Sequence, residues 1–134
     1  MAKESGLGMS VAVDDSGGTA RTISNDITNL EWSTPKGVQD VTGVNSSVIE
    51  RLTLYTDFTC TLNGVFNDAA NLSHAVFRTV PSTAVTRTVT LTHSGQTLAV
   101  ETVFTDYALT RAADGSLTWS APGVSGDTTV PTWA

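Results

Sequence analysis

The sequence predicts a mainly β protein, a small β-sandwich or barrel-like fold with one short flanking α-helix, a long inter-strand loop and extended termini. Three observations support this fold class. The 134 residues include 23 Thr and 15 Val, and β-branched residues favour pleated strands. Several segments alternate apolar and polar residues with a period of two, and Ser-Gly or Asp-Gly pairs mark tight turns between them. Only one segment shows helical spacing.

Composition and charge exclude several classes of protein. The length suits a single domain spanning residues 1–134. Seven Lys and Arg against 13 Asp and Glu give a net charge of −6, which argues against holding nucleic acid phosphates. No apolar run approaches the roughly 20 residues that a membrane helix needs, and the N-terminus lacks the apolar centre of a secretory signal. The single cysteine, Cys60, cannot form an internal disulfide.

The N-terminal part of the chain divides into short elements. A short N-terminal arm of residues 1–8 precedes a strand at 9–13, a turn at 14–18 that is rich in Asp and Gly, and a short strand at 20–23. Residues 33–47 contain one Pro, two Gly and few large apolar side chains. This composition predicts an extended loop, and a loop of that length is uncommon in a compact domain unless it is disordered or functional.

The longest strand pattern covers residues 52–66. Fifteen alternating residues exceed an ordinary strand, so we expect a bend, a bulge or an extension beyond the body. The helix follows, with Asp68 or Asn71 as its cap and Pro81 as its end. The apolar strand face would comprise Leu52, Leu54, Phe58, Cys60, Leu62 and Phe66, and the helix face Leu72, Ala75, Val76, Thr79 and Val80.

The C-terminal part predicts two hairpins. A strand at 85–92 places Val85, Arg87, Val89 and Leu91 opposite four threonines, and a turn at 93–96 leads into the next strand. The apolar pattern changes phase between Glu101 and Phe104, which predicts a bulge or a strand passing between two sheets. Residues 112–115 form the second turn, and on the return strand Leu117, Trp119 and Ala121 point inward. Residues 122–134 are predicted to be an irregular tail.

The residues that could carry chemistry are few. His74 and His93 have no second ligand at metal-binding spacing, and Asp14 and Asp15 resemble a calcium loop only weakly. Cys60 lies on an apolar strand face, where a small buried hydrophobe is favoured over a nucleophile. No serine elbow or phosphate loop is present in the sequence. We therefore expect no enzymatic activity, no metal and no cofactor.

One long run of sequence resembles a known family. DVTGVNSSVIERLTLYTDFTCTLNGVFND, residues 40–68, resembles the matching region of tail tube proteins of long-tailed bacteriophages, where a D-V-T-like element, an E-R-L-like element and a strand ending in G-x-F-[ND] follow one another. The resemblance continues through VDDSGGTARTISNDITN at 13–29 and NLSHAVFRTVPS at 71–82 and covers most of the chain.

The resemblance implies a structural role in the virion. Tail tube proteins are small β-sandwiches with one flanking helix, and they form hexameric rings that stack into a tube. It further implies assembly in the host bacterial cytoplasm, tape-measure and other tail proteins as partners, no membrane, and genome DNA passing through without sequence-specific binding. An acidic lumen suits that passage, because like charge repels DNA.

The resemblance also implies roles for particular residues. The 33–47 loop and both termini would make contacts between rings and subunits. The candidates for these contacts are Lys36, Asp40, Glu50, Arg51 and Trp133. The candidates for an acidic lumen are Asp57, Glu101 and Asp106, since a polar strand face could line a wet channel. For each of these residues, a solvated surface side chain is the competing interpretation.

Two other functions are compatible with the same patterns. A capsid decoration or head–tail joining protein of a phage would share a small β fold, but a decoration protein would be a monomer or trimer alone and would bind capsid, whereas a tube protein would form rings or filaments. A carbohydrate-binding β module would need exposed aromatic side chains on one surface, for which Trp32, Trp119 and Trp133 are the candidates.

Overall fold

The computed structural model describes residues 3–134 and shows a mainly β chain. The predicted fold class, with one short flanking α-helix, is confirmed. In these residues the elements are β1 (Ser10–Asp14), β2 (Ala20–Thr22), a 3-10 helix (Ser24–Asp26), β3 (Ile27–Ser33), β4 (Lys36–Asp40), β5 (Arg51–Thr56), β6 (Thr59–Val65), α1 (Ser73–Phe77), β7 (Arg87–His93), β8 (Gln96–Phe104), β9 (Ala108–Arg111) and β10 (Leu117–Ser125).

Eight of the strands form one antiparallel sheet in the order β2-β1-β7-β8-β10-β6-β3, with β9 also paired to β10. Within this order β8 and β10 pair over only three residues, from Gly123↔Phe104 to Ser125↔Thr102. Strands on both sides of this connection contribute to the same cluster of buried side chains. The sheet therefore folds over one core as a sandwich does, and β4 and β5 form a separate two-stranded sheet.

An aromatic group occupies the end of the core that α1 covers. The Phe77 ring lies 5.1 Å from that of Phe104, 5.1 Å from that of Trp119 and 5.6 Å from that of Tyr107, measured between centroids. Such pairs add to the stability that apolar burial provides. The buried apolar side chains are Val11, Val13, Ile23, Phe58, Cys60, Leu62, Val76, Phe77, Val89, Leu91, Leu98, Val100, Phe104, Trp119 and Ala121.

The long strand predicted at 52–66 is divided. β5 and β6 belong to different sheets, and Asp57 and Phe58 between them are not part of either strand. Phe58 is fully buried, whereas Leu52 is 55% and Leu54 47% exposed. The expected extension beyond the body is confirmed, but the assignment of Leu52 and Leu54 to the core face is wrong. Alternation continues through the break, although only the second half of the segment contacts the core.

The irregular loop predicted at 33–47 is wrong in part, because it contains β4. This strand pairs with β5 from Lys36↔Thr56 to Asp40↔Arg51, with a shift of register between Lys36 and Val38. The strand is hard to recognise in the sequence because Gly37 lies within it and Pro35 directly before it, and both residue types are uncommon in strand interiors. Pairing with β5 satisfies the backbone groups that these residues would otherwise expose.

Of the two alternatives predicted for residues 101–104, a bulge or a strand passing between two sheets, the bulge is not present, and β8 pairs with β7 and β10 within one sheet. β8 keeps one phase, with Val100, Thr102 and Phe104 all buried, and its ladder with β7 is unbroken. The change of phase was predicted because Thr102 has a polar hydroxyl and so did not count as part of the apolar face. In the fold that hydroxyl donates to the Val100 carbonyl at 3.2 Å, which allows the side chain to be buried.

The helix cap comes from a distant residue. Neither Asp68 nor Asn71 caps α1, since no side chain of the neighbouring sequence bonds its first turn. Instead the buried Asp26 carboxylate accepts the Ser73 N–H at 3.1 Å and the Asn67 side-chain N–H at 2.9 Å. Capping across 47 residues of sequence joins α1 to the start of β3.

The ends of the helix and of β10 differ from prediction. The helix ends at Phe77, and turns carry the chain to Pro81. β10 continues to Ser125, so the predicted tail at 122–134 is a strand for its first four residues. Gly123 permits this continuation, because a Cβ there would lie 2.6 Å from the Thr102 methyl group.

The predicted hairpin turns at 93–96 and 112–115 are confirmed. Ser94 and Gly95 join β7 to β8 with φ values of 53° and 78°, and Gly115 has a φ of 95°. Left-handed backbone at both central positions of a two-residue turn matches the twist of the flanking strands.

Arg87, predicted to share a strand face with Val89 and Leu91, is a buried cation. Its guanidinium donates to the Val76 carbonyl at 2.9 Å, the Thr79 hydroxyl at 2.8 Å and the Asp14 carbonyl at 3.2 Å. Burial lowers the pKa of the guanidinium, while the nearby carboxylates of Asp15 and Asp14 oppose that shift. One side chain thereby connects β7, α1 and the end of β1.

Replacing Gly64 by Ala is expected to destabilise the fold severely. The added Cβ would collide with the Asp26 carbonyl oxygen and lie 2.7 Å from the Trp119 ring, both of which are fixed in the core. We expect a loss of about 3 kcal/mol or more in the free energy of unfolding, measured by urea denaturation. Gly6→Ala is the matched control, because no atom lies within 4 Å of its Cβ position. Equal midpoints for the two variants would contradict the tight packing described here.

Candidate functional site

A projecting hairpin is the most unusual surface of the molecule. It comprises β4, β5 and the residues 41–50 between them, and we call residues 36–56 the arm. Every residue of the arm is exposed except the half-buried Thr56. The arm carries half of the exposed large apolar side chains found in residues 3–134: Val38, Val41, Val44, Val48, Ile49, Leu52, Leu54 and Tyr55.

Polar contacts within the arm hold its shape. At the distal end the Asp40 carboxylate accepts the Thr42 N–H at 2.9 Å and the Thr42 hydroxyl at 2.6 Å, which lowers the pKa of Asp40. The Thr42 hydroxyl oxygen in turn accepts the Glu50 N–H at 2.9 Å. At the base, the Asp57 N–H donates to the Pro35 carbonyl at 2.9 Å. The arm therefore has a defined structure although it lacks a core of its own.

Both faces of the arm present apolar groups. Leu52 and Leu54 lie on one face, and a Cβ at Gly37 would touch Leu54 at 3.4 Å. Strand alternation from the pairing Val38↔Thr53 places Val38 and Tyr55 on the opposite face. An isolated two-stranded hairpin is marginal in water, and exposed apolar patches mark interaction sites. Each of these side chains would contribute about 1.5–3 kcal/mol if a partner buried it fully.

The structure brings four of the five predicted contact residues onto the arm. Lys36 lies at its base, Asp40 and Arg51 are opposite each other in the ladder, and Glu50 precedes Arg51. Within residues 3–134 none of them forms an ion pair. Their charges thus flank apolar side chains, an arrangement typical of a polar rim around an interface. Their role in contacts between subunits stays a prediction.

The fifth residue, Trp133, lies away from the arm. Its ring packs against that of Trp32 at 6.5 Å between centroids, and its backbone bridges Leu98 of β8. It remains 48% exposed. The tail residue is therefore docked on the body, as expected of a large apolar side chain, but incompletely.

The three carboxylates predicted to line a lumen lie on different elements. Asp57 is at the base of the arm and accepts the Phe58 N–H, and Asp106 follows β8 and accepts the Tyr107 N–H. Glu101 lies on the outer face of β8. The structure does not join them into one cluster, so their position relative to a lumen stays a prediction.

The other candidate residues have structural partners. The Asp15 carboxylate accepts the Gly17 and Thr19 N–H groups and pairs with Arg21 at 3.1 Å, which organises the turn between β1 and β2. The His74 ring lies 3.1 Å from the Tyr107 hydroxyl. Across residues 3–134 no group of three His, Cys, Asp or Glu side chains is placed to hold a metal ion. None of the described helices is long and apolar enough to cross a membrane.

Sequence reasoning missed the apolar character of the arm. The 33–47 loop was expected to have few large apolar groups, although it contains Val38, Val41 and Val44. Leu52 and Leu54 were assigned to the core. The available signal was the length of the 52–66 pattern, since a strand of fifteen residues cannot lie wholly on a domain of this size.

Comparison with known proteins finds likeness in structure alone. No protein-family model matches the chain, and no curated protein matches it in sequence. A chain from the virion of a native gene transfer agent particle has the same fold, with a TM-score of 0.74 and 17% identity over 97% of this chain and 99% of that chain. A chain from the tail of an empty gene transfer agent particle, computed with helical refinement and C6 symmetry, matches with a TM-score of 0.74 and 17% identity over 98% and 99%.

The Cys60 thiol is expected to be inert in the folded protein. Burial raises its pKa from 9.0 to about 12, so at pH 8 the native chain holds far less reactive thiolate than the unfolded chain. We expect labelling by a thiol reagent at pH 8 to be at least about 100-fold slower in the native than in the guanidinium-unfolded protein. Because the folded pKa is the higher one, the stability contributed by the neutral thiol is lost as pH rises from 9 towards 12. Equal labelling rates would show that the core opens around β6.

Proposed function

We propose that this chain is a structural protein of a phage-like tail and assembles into stacked hexameric rings that form a tail tube for the passage of DNA. The observation that carries the proposal is the arm, a defined hairpin with apolar side chains on both faces and no partner within residues 3–134. The fold shared with chains of an assembled particle and its tail supports the same function.

The free edges of the sheet support ring formation. β2 and β3 terminate the strand order and each leaves one row of backbone groups without a strand partner in residues 3–134. Exposed edges pair readily with another chain, and closing a ring of subunits removes them. The ring number of six is taken from the C6 symmetry of the gene transfer agent tail.

The arm then provides contacts that edge pairing cannot. It projects from the sheet beyond β3 and β6, to which it is joined at Ser33 and Thr59. A neighbouring subunit or the next ring would bury its apolar faces, while Lys36, Asp40, Glu50 and Arg51 would set the register of the contact. Apolar burial supplies most of the stability of such contacts, and charge complementarity supplies specificity.

The outer face of the sheet suits a wet surface. Thr88, Thr90 and Thr92 of β7 and Thr59 and Thr61 of β6 point away from the core. In a hexamer every copy would add its net charge of −6, and an acidic lumen with candidates Asp57, Glu101 and Asp106 would let DNA pass without binding.

The same function accounts for location and partners. The chain would reside in the virion tail after assembly in the host bacterial cytoplasm, with tape-measure and other tail proteins as partners.

Carbohydrate binding has less support, because Trp119 is buried and Trp32 packs against Trp133 instead of forming an open aromatic surface.

Removing the apolar side chains of one arm face is expected to prevent assembly without unfolding the subunit. Leu52→Ser with Leu54→Ser changes side chains that are already in water, so the Tm of the monomer should shift by no more than about 2 °C. Negative-stain electron microscopy and light scattering over a concentration series should show rings or tubes of uniform width for the wild type. The double variant should need at least about ten times the concentration, since the burial of two Leu side chains is lost.

The matched control is Leu109→Ser on β9, which removes a side chain of similar exposure, 45%, from outside the arm. The control is expected to assemble as the wild type does. Tubes formed by the double variant at wild-type concentrations would contradict the role of the arm. Wild-type chains that stay monomeric at every concentration, or that form trimers, would contradict the proposed function.

A further inference from the structure

The C-terminal tail, residues 126–134, partly covers one edge of β8. β7 pairs with the opposite edge from Arg87↔Thr102 to His93↔Gln96, but β10 covers only Thr102–Phe104 on the tail side. At the other end of this edge Ala134 and Thr97 exchange two backbone hydrogen bonds of 2.7 and 2.8 Å. The end of the chain therefore acts as a very short edge strand.

The tail does not continue β10 in register. Ser125 lies opposite Thr102, so an unbroken strand would place Thr129 opposite Leu98. Trp133 occupies that place instead, four residues further along the chain. The additional residues form an exposed excursion, in which the Asp127 carboxylate accepts the Thr129 N–H at 2.8 Å.

The excursion leaves a gap in the middle of the edge. Thr97 directs its backbone groups to Ala134, and the Glu101 carbonyl accepts the Gly126 N–H at 2.9 Å. Because backbone groups alternate along a strand, the N–H and C=O of Ala99 point to the same edge of β8 as those of Thr97 and Glu101. Across residues 3–134 no backbone hydrogen bond joins Ala99 to the tail. A strand that did not have to connect to Gly126 could pair along the whole edge.

We propose that this edge of β8 receives the tail of a second copy of the chain, so that neighbouring copies exchange their C-terminal strands. The inference rests on the self-assembly proposed above and adds a specific contact to it. In the register set by Trp133↔Leu98, Thr132 meets Ala99 and Pro131 meets Val100. Thr132 then fills the gap, and Pro131 falls where a backbone N–H would point away from β8, so its missing donor has no cost.

A second copy is the partner that the existing contacts specify. The tail already fits this edge within one chain, because Trp133 packs on Trp32 and pairs opposite Leu98. Exchange keeps these contacts and adds the pairing at Ala99, as in domain swapping. The eight residue steps from Gly126 to Ala134 can extend about 27 Å, which is enough to reach an adjoining subunit.

A disulfide across the edge tests the exchange. Thr97→Cys with Ala134→Cys joins two residues that form a hydrogen-bonded pair, whose Cα atoms in a regular antiparallel ladder are about 5.5 Å apart and suit a disulfide. Oxidised as a monomer, this variant holds its tail within its own chain. We expect it to need at least about tenfold more protein to form rings or tubes than the wild type, and reduction should restore assembly. Cys60 is 4% exposed and should not compete.

A mixing experiment with single variants gives a second measurement. Chains carrying only Thr97→Cys and chains carrying only Ala134→Cys are purified separately, mixed, assembled and oxidised. A cross-linked dimer of the two chains can form only by exchange, and each variant assembled alone is the control. Wild-type rings together with normal assembly of the locked variant and no mixed dimer would overturn the exchange alone. Wild-type chains that form no rings would overturn the proposed function, and the exchange with it.

Discussion

The close approach of β6 to the start of β3 is the constraint on which the rest of the fold depends. Gly64 has no side chain, so the Asp26 carbonyl and the Trp119 ring can both pack against its backbone. Trp119 is then held by its indole N–H, which donates to the Val65 carbonyl at 2.9 Å. The Asp26 carboxylate, fixed by the same packing, caps α1 through the Ser73 N–H. The absence of a side chain at Gly64 thus allows β3 and β6 to approach each other and Trp119 and α1 to take their places against them.

The molecule consists of a body with its own hydrophobic core and two segments, the arm and the tail, that have no core of their own. The body buries its aromatic and aliphatic side chains around one core and even satisfies a buried guanidinium at Arg87. The arm has ordered backbone pairing and exposed Leu and Val side chains, and the tail carries the half-exposed Trp133. A subunit of an assembly is expected to show this division, because its contact segments find their burial only in the partner.

The two exposed segments meet near the same part of the sheet. Trp133 packs on Trp32, which lies near the end of β3, and the arm begins three residues after that strand ends. Ser125 at the end of β10, residues 127–130 of the tail and Tyr55, Thr56 and Asp57 at the arm base line a common groove of about 560 Å³. A tail that leaves its own edge of β8 would also open this groove. In the ring proposed above, tail exchange and arm contacts would therefore influence each other.

The sequence by itself determined the β class, the two hairpin turns and the strand face that Arg87, Val89 and Leu91 share on β7, because alternation and turn residues act over a few positions. Only the tertiary structure decided that Leu52 and Leu54 face solvent, and that Thr102 lies in the core. Alternation reports that a strand has an apolar face but not what covers that face. Which sheet a strand joins, and what lies above it, depends on contacts across dozens of residues.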